Sequence, residues 1–128
     1  MTQVETNIAP IVFVVDDDVN VREGLKALLE SVGLQAEVFA SAREFLQRPA
    51  SETVSCLVLD VRMPGMSGLE LQDRLHAANS PIPIIFISAH DDGDAKARAL
   101  RAGAIGYLQK PFSEDALLGA IGACLGRS

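Results

Sequence analysis

Short runs of β-branched and other apolar residues alternate along the chain with stretches in which apolar residues recur every three or four positions. Ile11-Val12-Phe13-Val14-Val15 is a continuous apolar run, too short for a helix and as β-branched as a strand covered on both faces should be. Val21, Leu25, Leu28, Leu29 and Val32 then fall at i, i+4, i+7, i+8 and i+11, one face of a helix that Gly33 can end. The same strand-then-helix unit recurs four more times. Gln35 to Phe39 reads as a second, weaker strand, and Ser41-Ala42-Arg43-Glu44 has the capping-box pattern that opens a short helix to about Gln47. Cys56 to Asp60 is the third strand, followed by a loop from Val61 to Ser67 and a helix from about Gly68 with Leu71 and Leu75 on one face. Pro83 to Ser88 is the fourth, leading to an Ala-rich helix from about Asp92 to Ala102, with Gly103 suited to its C-terminal cap. Ile105 to Gln109 is the fifth, and Ser113 caps a last helix whose Leu117, Leu118, Ile121, Cys124 and Leu125 share a face.

Strict alternation predicts an α/β fold, because parallel strands need crossovers and right-handed crossovers place helices on both faces of the sheet. Five units favour the flavodoxin-like doubly wound (βα)5 arrangement, a five-stranded parallel sheet in the order 2-1-3-4-5. The folded unit is expected over residues 10–126, with residues 1–9 as an N-terminal extension and Gly126-Arg127-Ser128 fraying or leading onward.

Composition narrows the function classes. The chain has 128 residues, 48% hydrophobic, which is enough for one domain to hold a core without disulfides or structural metal. Its formal net charge of -6, with no Lys/Arg run, argues against direct nucleic-acid contact, because affinity for a phosphate backbone comes from clustered positive charge. No apolar run reaches the roughly 18 residues of a membrane span, and Met1 to Asn7 lacks the basic start of a secretory signal, so a cytoplasmic location is expected. Cys56 and Cys124 match neither a C-x-x-C motif nor a disulfide framework, and both read as small buried hydrophobes in a reducing compartment.

In open α/β sheets, ligands bind beyond the carboxyl ends of the strands. The first strand runs into Asp16-Asp17-Asp18, the third ends in Asp60, the fourth in Ser88-Ala89, and the fifth is followed by Lys110-Pro111. The expected strand order makes the first and third strands neighbours, which brings Asp16, Asp17 and Asp60 together. Three crowded carboxylates repel one another, and either protonation or a divalent cation relieves that repulsion. Oxygen ligands that leave room for water suit Mg²⁺, and a Lys aimed at the same point offers charge to a phosphoryl oxygen. The chemistry this implies is phosphoryl transfer, with a carboxylate able to act as the nucleophile and form an acyl phosphate.

Four phrases in order carry a resemblance: Val14-Val15-Asp16-Asp17-Asp18, then Leu59-Asp60-Val61-Arg62-Met63-Pro64-Gly65-Met66-Ser67-Gly68, then Ile87-Ser88-Ala89, then Gly106-Tyr107-Leu108-Gln109-Lys110-Pro111-Phe112. Together they resemble the receiver domain of bacterial two-component response regulators. The phrase around Asp60, with Ser41-Ala42-Arg43-Glu44-Phe45-Leu46, is similar to the subfamily that usually carries a C-terminal LuxR-type helix-turn-helix output domain. The resemblance implies Asp60 as phosphoacceptor from a sensor histidine kinase, and Asp17, Asp60 and the backbone carbonyl of Arg62 as Mg²⁺ ligands, with Asp16 holding the metal through water. It implies that Lys110 pairs with the carboxylate and then with the phosphoryl group, and that Ser88 and the Ala89 amide bind phosphoryl oxygens. It further implies a cis Lys110-Pro111 peptide, and a switch in which Ser88 moves toward the phosphate while Tyr107 turns inward. That switch would relay the signal through the face formed by the fourth helix, fifth strand and fifth helix, to an output domain or to a phosphorylation-dependent homodimer, and so to transcription. Such a domain is a phosphoacceptor that promotes its own phosphorylation and dephosphorylation rather than an enzyme acting on a separate substrate. Ser stands at 88 where the family commonly has Thr, and Arg62 and His90 occupy positions that govern water access to the acyl phosphate.

Plainer readings accompany each of these residues. An Asp run after a strand also serves as a turn and helix cap, which is the preferred reading for Asp18; for Asp16 and Asp17 taken alone, cap and ligand weigh equally. Tyr107 can be simple packing, His76 a solvated helix residue, and Ala95, Ala97, Ala99 and Ala102 first of all good helix formers, with a flat partner face as a weaker reading. An EF-hand starting at Asp16 would need Gly and Glu where Val21 and Ala27 stand, and FMN phosphate would be repelled by the three carboxylates. An aspartyl-phosphate hydrolase of the D-x-D type would need Asp at Arg62. The remaining alternative is a degenerate receiver acting as a constitutive interaction module, and the presence of Asp60 and Lys110 weighs against it.

Overall fold

The computed structural model describes residues 10–48, 54–80 and 82–126; the expected extension at 1–9 and the last two residues lie outside that range. The chain forms β1 (Ile11–Val15), α1 (Val19–Ser31), β2 (Gln35–Phe39), α2 (Ala42–Leu46), β3 (Cys56–Asp60), α3 (Gly68–Ala77), β4 (Ile84–Ser88), α4 (Gly93–Arg101), β5 (Gly106–Gln109) and α5 (Glu114–Cys124). The strands make one parallel sheet in the order β2-β1-β3-β4-β5, as the alternation predicts.

Strands buried on both faces need apolar residues along their length, and the three central strands have them except at the carboxyl ends of β3 and β4, where Asp60 and Ser88 stand. Val12 to Val15, all of β3 and all of β4 are buried, whereas β2 and β5, at the edges, are half-buried over most of their length. One face of the sheet packs Val12, Val14, Cys56, Val58, Ile85 and Ile87 against Leu25 and Leu29 of α1 and Leu117 and Ile121 of α5. The other face packs Phe13, Leu57, Leu59 and Phe86 against Phe45 of α2, Leu71 and Leu75 of α3 and Ala95 and Ala99 of α4. Phe13, Phe39 and Phe45 pack against one another there, with ring centroids 5.4 to 5.8 Å apart.

Local signals set the helix ends. Ser41, Ser67, Asp92 and Ser113 each accept a hydrogen bond from an amide of the first turn they precede, and at Ser67 the side chain of Glu70 reaches back to complete a capping box. Gly103 takes φ +102 just after α4, where Ala104 N–H donates to the Ala99 carbonyl at 3.0 Å, the left-handed closure that favours glycine.

Several expectations shift in detail. Pro83 and Ile105 stand just outside their strands, although the Pro83 carbonyl still accepts from Leu57 N–H at 2.9 Å and Ile105 N–H donates to Ile84 at 2.8 Å. Pro83 has no N–H to extend the ladder itself. Val32 leaves the apolar face of α1 and is 49% exposed, because it is the non-helical cap residue. Among the α4 alanines, Ala95 and Ala99 turn into the core and only Ala97 is fully outward, so they do not form a flat external face. Gln72, a polar residue on α3, is buried beside them and donates to the Ala99 carbonyl at 3.2 Å.

One contact ties the α3 start to the end of β3. A Cβ on Gly68 would clash with the backbone carbonyl oxygen of Asp60, and Gly68 N–H donates to the Val61 carbonyl at 2.9 Å. Only a residue without a side chain lets the helix begin this close to the strand end. Gly68→Ala is therefore expected to destabilise the protein by about 1–3 kcal/mol in urea unfolding, the range for overpacking. Gly119→Ala, in α5 with nothing within 4 Å of its new methyl, is expected to leave stability unchanged or raise it by about 0.5–1 kcal/mol.

Candidate functional site

Parallel strands all deliver their carboxyl ends to one edge of the sheet, and the order β1-β3-β4-β5 sets the chemistry at that edge side by side. Asp16 follows β1 and is fully buried. Its Oδ1 accepts from Asp18 N–H at 2.9 Å, its Oδ2 accepts from Lys110 Nζ at 2.8 Å, and its backbone carbonyl accepts from Arg22 Nη1 at 2.8 Å. Asp16 thus fixes the β1–α1 loop and holds the ammonium that arrives from the end of β5. Lys110 N–H donates to the Ser88 carbonyl at 2.7 Å, which ties the β5 end to the β4 end. The Lys110-Pro111 peptide is cis.

Asp60 closes β3, is 5% exposed, and lies with Oδ1 3.6 Å from Lys110 Nζ. Asp17 is exposed at the mouth of the site. One oxygen from each of Asp16, Asp17 and Asp60 lies within 4.8 Å of the others, close enough to share one ion. The cost of that crowding shows in Asp60, whose carboxyl is pushed up to about 7, chiefly by burial and then by the charge of Asp16, with Asp17 adding to it and Lys110 opposing it. Burial by itself would lower the Lys110 ammonium, but the hydrogen bond to Asp16 and the charge of Asp60 outweigh it and hold Lys110 above its ordinary value. Two buried carboxylates therefore face one cation, and a hard divalent ion with oxygen ligands fits the charge that remains.

Asp18 is exposed and its side chain accepts from Asn20 N–H at 2.8 Å as the N-cap of α1, the plainer of its two readings. Ser88 is buried at the end of β4, where its hydroxyl donates to the His90 carbonyl and accepts from His90 N–H, both at 3.1 Å. It is engaged with the β4–α4 loop, and Ala89 beside it is exposed. Tyr107 lies opposite Phe86 on β5 with ring centroids 6.3 Å apart, and its hydroxyl is already buried without a hydrogen-bond partner. His76 is exposed on α3.

Sequence reasoning missed the side-chain half of Arg62. Its guanidinium pairs with Asp92 Oδ2 at 2.9 Å while Asp92 Oδ1 caps α4 through Ala95 N–H at 3.1 Å. The Ala95 amide, more than Arg62, holds the Asp92 carboxyl below its ordinary value. One carboxylate thereby joins the loop after Asp60 to the start of α4. The residues stand 30 positions apart with no spacing rule to relate them, so nothing local signalled the pair. Arg22 was equally silent in sequence, being one helix residue among many.

Comparison with known proteins agrees with this geometry. The response regulator receiver domain family matches residues 12–122. Nodulation protein W of Bradyrhizobium diazoefficiens is 48% identical over 123 residues, covering 96% of this chain and 54% of that protein. The response regulator protein TodT of Pseudomonas putida is 47% identical over 117 residues, covering 91% of this chain and 52% of that protein. The chain spans about half the length of the curated relatives it matches. Among solved structures, the response regulator StyR superposes with a TM-score of 0.85 at 55% identity, covering 92% of this chain and 60% of that one. The crystal structure of FixJ-N gives 0.85 at 34% identity, covering 93% and 95%. With its strand order, its carboxylate cluster and a family match over almost the whole described sheet, the chain belongs to the response regulator receiver domains.

Proposed function

We propose that this chain is the phosphorylation switch of a two-component system, taking a phosphoryl group from a sensor histidine kinase onto Asp60 and passing the signal to transcription. The observation that carries the reading is the pairing of a buried Asp60 with Lys110 at 3.6 Å beside two further carboxylates. In the transfer, an Asp60 oxygen bonds to phosphorus as the bond from phosphorus to the donor histidine nitrogen breaks, leaving an acyl phosphate. Asp16, Asp17, Asp60 and the Arg62 carbonyl would hold Mg²⁺. Bound there, the ion supplies positive charge that offsets the carboxylates and the incoming phosphoryl oxygens. Lys110, already held by Asp16, is poised to exchange its longer contact with Asp60 for a phosphoryl oxygen. Ser88 would release His90 and, with the Ala89 amide, bind the remaining oxygens. The group adds about -1.5 to -2 charges at the ends of β3 and β4. The ion pair from Arg62 to Asp92 places the start of α4 within reach of that change, and the buried hydroxyl of Tyr107 lies under the same face. The α4-β5-α5 face is then the surface for a homodimer or an output domain. Acceleration of the domain's own dephosphorylation, and a cytoplasmic setting with soluble partners, belong to the same reading; no helix among the described residues is long and apolar enough to cross a membrane.

Incubation with a small-molecule phosphodonor and Mg²⁺ is expected to add one phosphoryl mass in intact-mass analysis. The adduct is expected to vanish in Asp60→Asn and on chelation of the metal, and to form about 100-fold more slowly in Lys110→Ala, the scale for removing one preorganised donor of charge. Native protein that takes up no phosphoryl group from either a small donor or a cognate kinase would instead indicate a constitutive interaction module.

A second expectation concerns pH. Asp60 gives up its proton near 3.8 when unfolded and near 7 when folded without metal. Between those values the folded form binds more protons, so this group's contribution to stability falls as pH rises from about 4 to 7. Asp60→Asn lacks that fall. In metal-free urea unfolding it is expected to match the native protein near pH 4 and to exceed it by about 2 kcal/mol at pH 8, solvent at the site mouth screening part of the full shift. Added Mg²⁺ is expected to narrow the difference.

A further inference from the structure

The two cysteines, far apart in sequence, meet across the interior at the other end of β3. Cys56 is the first residue of β3 and is fully buried. With Val58 it points to the sheet face covered by α1 and α5, while Leu57 and Leu59 point to the opposite one. Cys124 is the last residue of α5 and continues the inward stripe of Leu117 and Ile121, at i+7 from the first. Strand alternation and helix periodicity thus place the two side chains in the same apolar cluster independently. Both lie at the same end of that face, at the start of β3 and the end of α5, and both are free of any disulfide.

The environments differ in a useful direction. The hydrogen bond with Cys124, then burial, push the Cys56 thiol far up, so Cys56 keeps its proton. The hydrogen bond from Cys56 favours the thiolate of Cys124, which is half-buried and so reached from solvent. A solvent-reached thiol beside a fully buried one is the arrangement of an attacking and a resolving cysteine.

We propose that Cys124 and Cys56 form a reversible oxidation site, in which a hydroperoxide converts the thiol pair into an intramolecular disulfide. The Cys124 thiolate attacks the terminal oxygen of the peroxide, the O–O bond breaks, and Cys124 becomes a sulfenic acid as hydroxide leaves. The Cys56 sulfur then bonds to the Cys124 sulfur, the S–O bond breaks, and the Cys56 proton leaves with the departing oxygen as water. Two thiols lose two electrons and two protons; one hydrogen peroxide is reduced to two waters. The last turn of α5 can follow the closure, since its final carbonyls have no helical partners to lose. The site lies four residues upstream of Asp60 along β3, about 13 Å at strand spacing, so it is separate from the phosphoacceptor centre and does not rest on the function proposed above.

The test uses the full chain treated with a small molar excess of hydrogen peroxide, blocked with an alkylating reagent and weighed intact without reduction. The native protein is expected to lose two hydrogens, about 2 Da, and both alkylation sites, and to regain both with dithiothreitol. Non-reducing proteolysis is expected to yield one peptide that joins the segments around Cys56 and Cys124. Cys124→Ser, which keeps the buried cysteine in place, is expected to show no two-hydrogen loss. Cys56→Ala is expected to stop at a sulfenic acid on Cys124, trapped by a dimedone-type reagent. Two thiols that remain alkylatable after peroxide, a cross-link found only between chains, or oxygen uptake on the native protein with no internal disulfide would each overturn the proposal.

Discussion

The ion pair between Lys110 and Asp16 is the interaction on which the site depends. Asp16 is fully buried, and a buried carboxylate without a partner would cost several kcal/mol or take up a proton. At 2.8 Å from Asp16 and 3.6 Å from Asp60, the Lys110 ammonium counters both charges at once. It also spans the sheet, since Asp16 follows β1 and Lys110 follows β5, 94 positions later. The contact therefore exists only when every strand between them is in place. Folding and assembly of the charged centre are one event for this reason, and the residual imbalance, seen in the raised Asp60, is what makes the centre receptive to a cation.

The sheet supplies the precision. Asp60 sits on a strand buried at all five positions, with the start of α3 pressed against its carbonyl and the ladder to β4 on its other side. Such a residue has little freedom, and a functional group held on a rigid strand is more precisely placed than one on a loop. Two polar groups near that edge are held differently. Ser88 spends its hydroxyl on the backbone of the β4–α4 loop, and Tyr107 buries a hydroxyl that no group satisfies, which leaves it with something to gain from rearrangement.

What the sequence made legible follows from the range of the physics involved. Periodicity and capping are local, so strand order, helix starts at Ser41, Ser67 and Ser113, and the meeting of Asp16, Asp17 and Asp60 could be reasoned from neighbouring letters plus the rule for doubly wound sheets. Strand limits at Pro83 and Ile105 depend on which partner hydrogen bonds continue, and shift by one residue. Pairings between helices and loops have no spacing rule. The link from Arg62 to Asp92, the burial of Gln72 against α4 and the placing of Cys56 and Cys124 in one apolar cluster needed the fold. The alanines of α4 are the helix formers that their propensity implies, while the weaker reading of a flat partner face gives way because composition says that they are small and not which way they point.

That inward turn of Ala95 and Ala99 bears on how a change at Asp60 could travel. Methyl-sized burial is worth about 0.8 kcal/mol each, against about 1.5–3 kcal/mol for each Leu or Phe that anchors α2 and α3. The rest of the hold on α4 is polar. Arg62–Asp92 and Arg98–Asp73 are exposed pairs that contribute little, and the Gln72 bond to Ala99 adds about 1 kcal/mol. The helix next to the Asp60 end of the sheet is therefore secured by a few kcal/mol in separable pieces, one of which begins two residues after Asp60. A shift of a two-state equilibrium from one side to the other needs about 5.5 kcal/mol of differential interaction. The charge change proposed for Asp60 would have to supply that difference through Lys110 and the β4–α4 loop, whereas the same change applied to α3, with Leu71 and Leu75 in the core, would have to disrupt apolar packing.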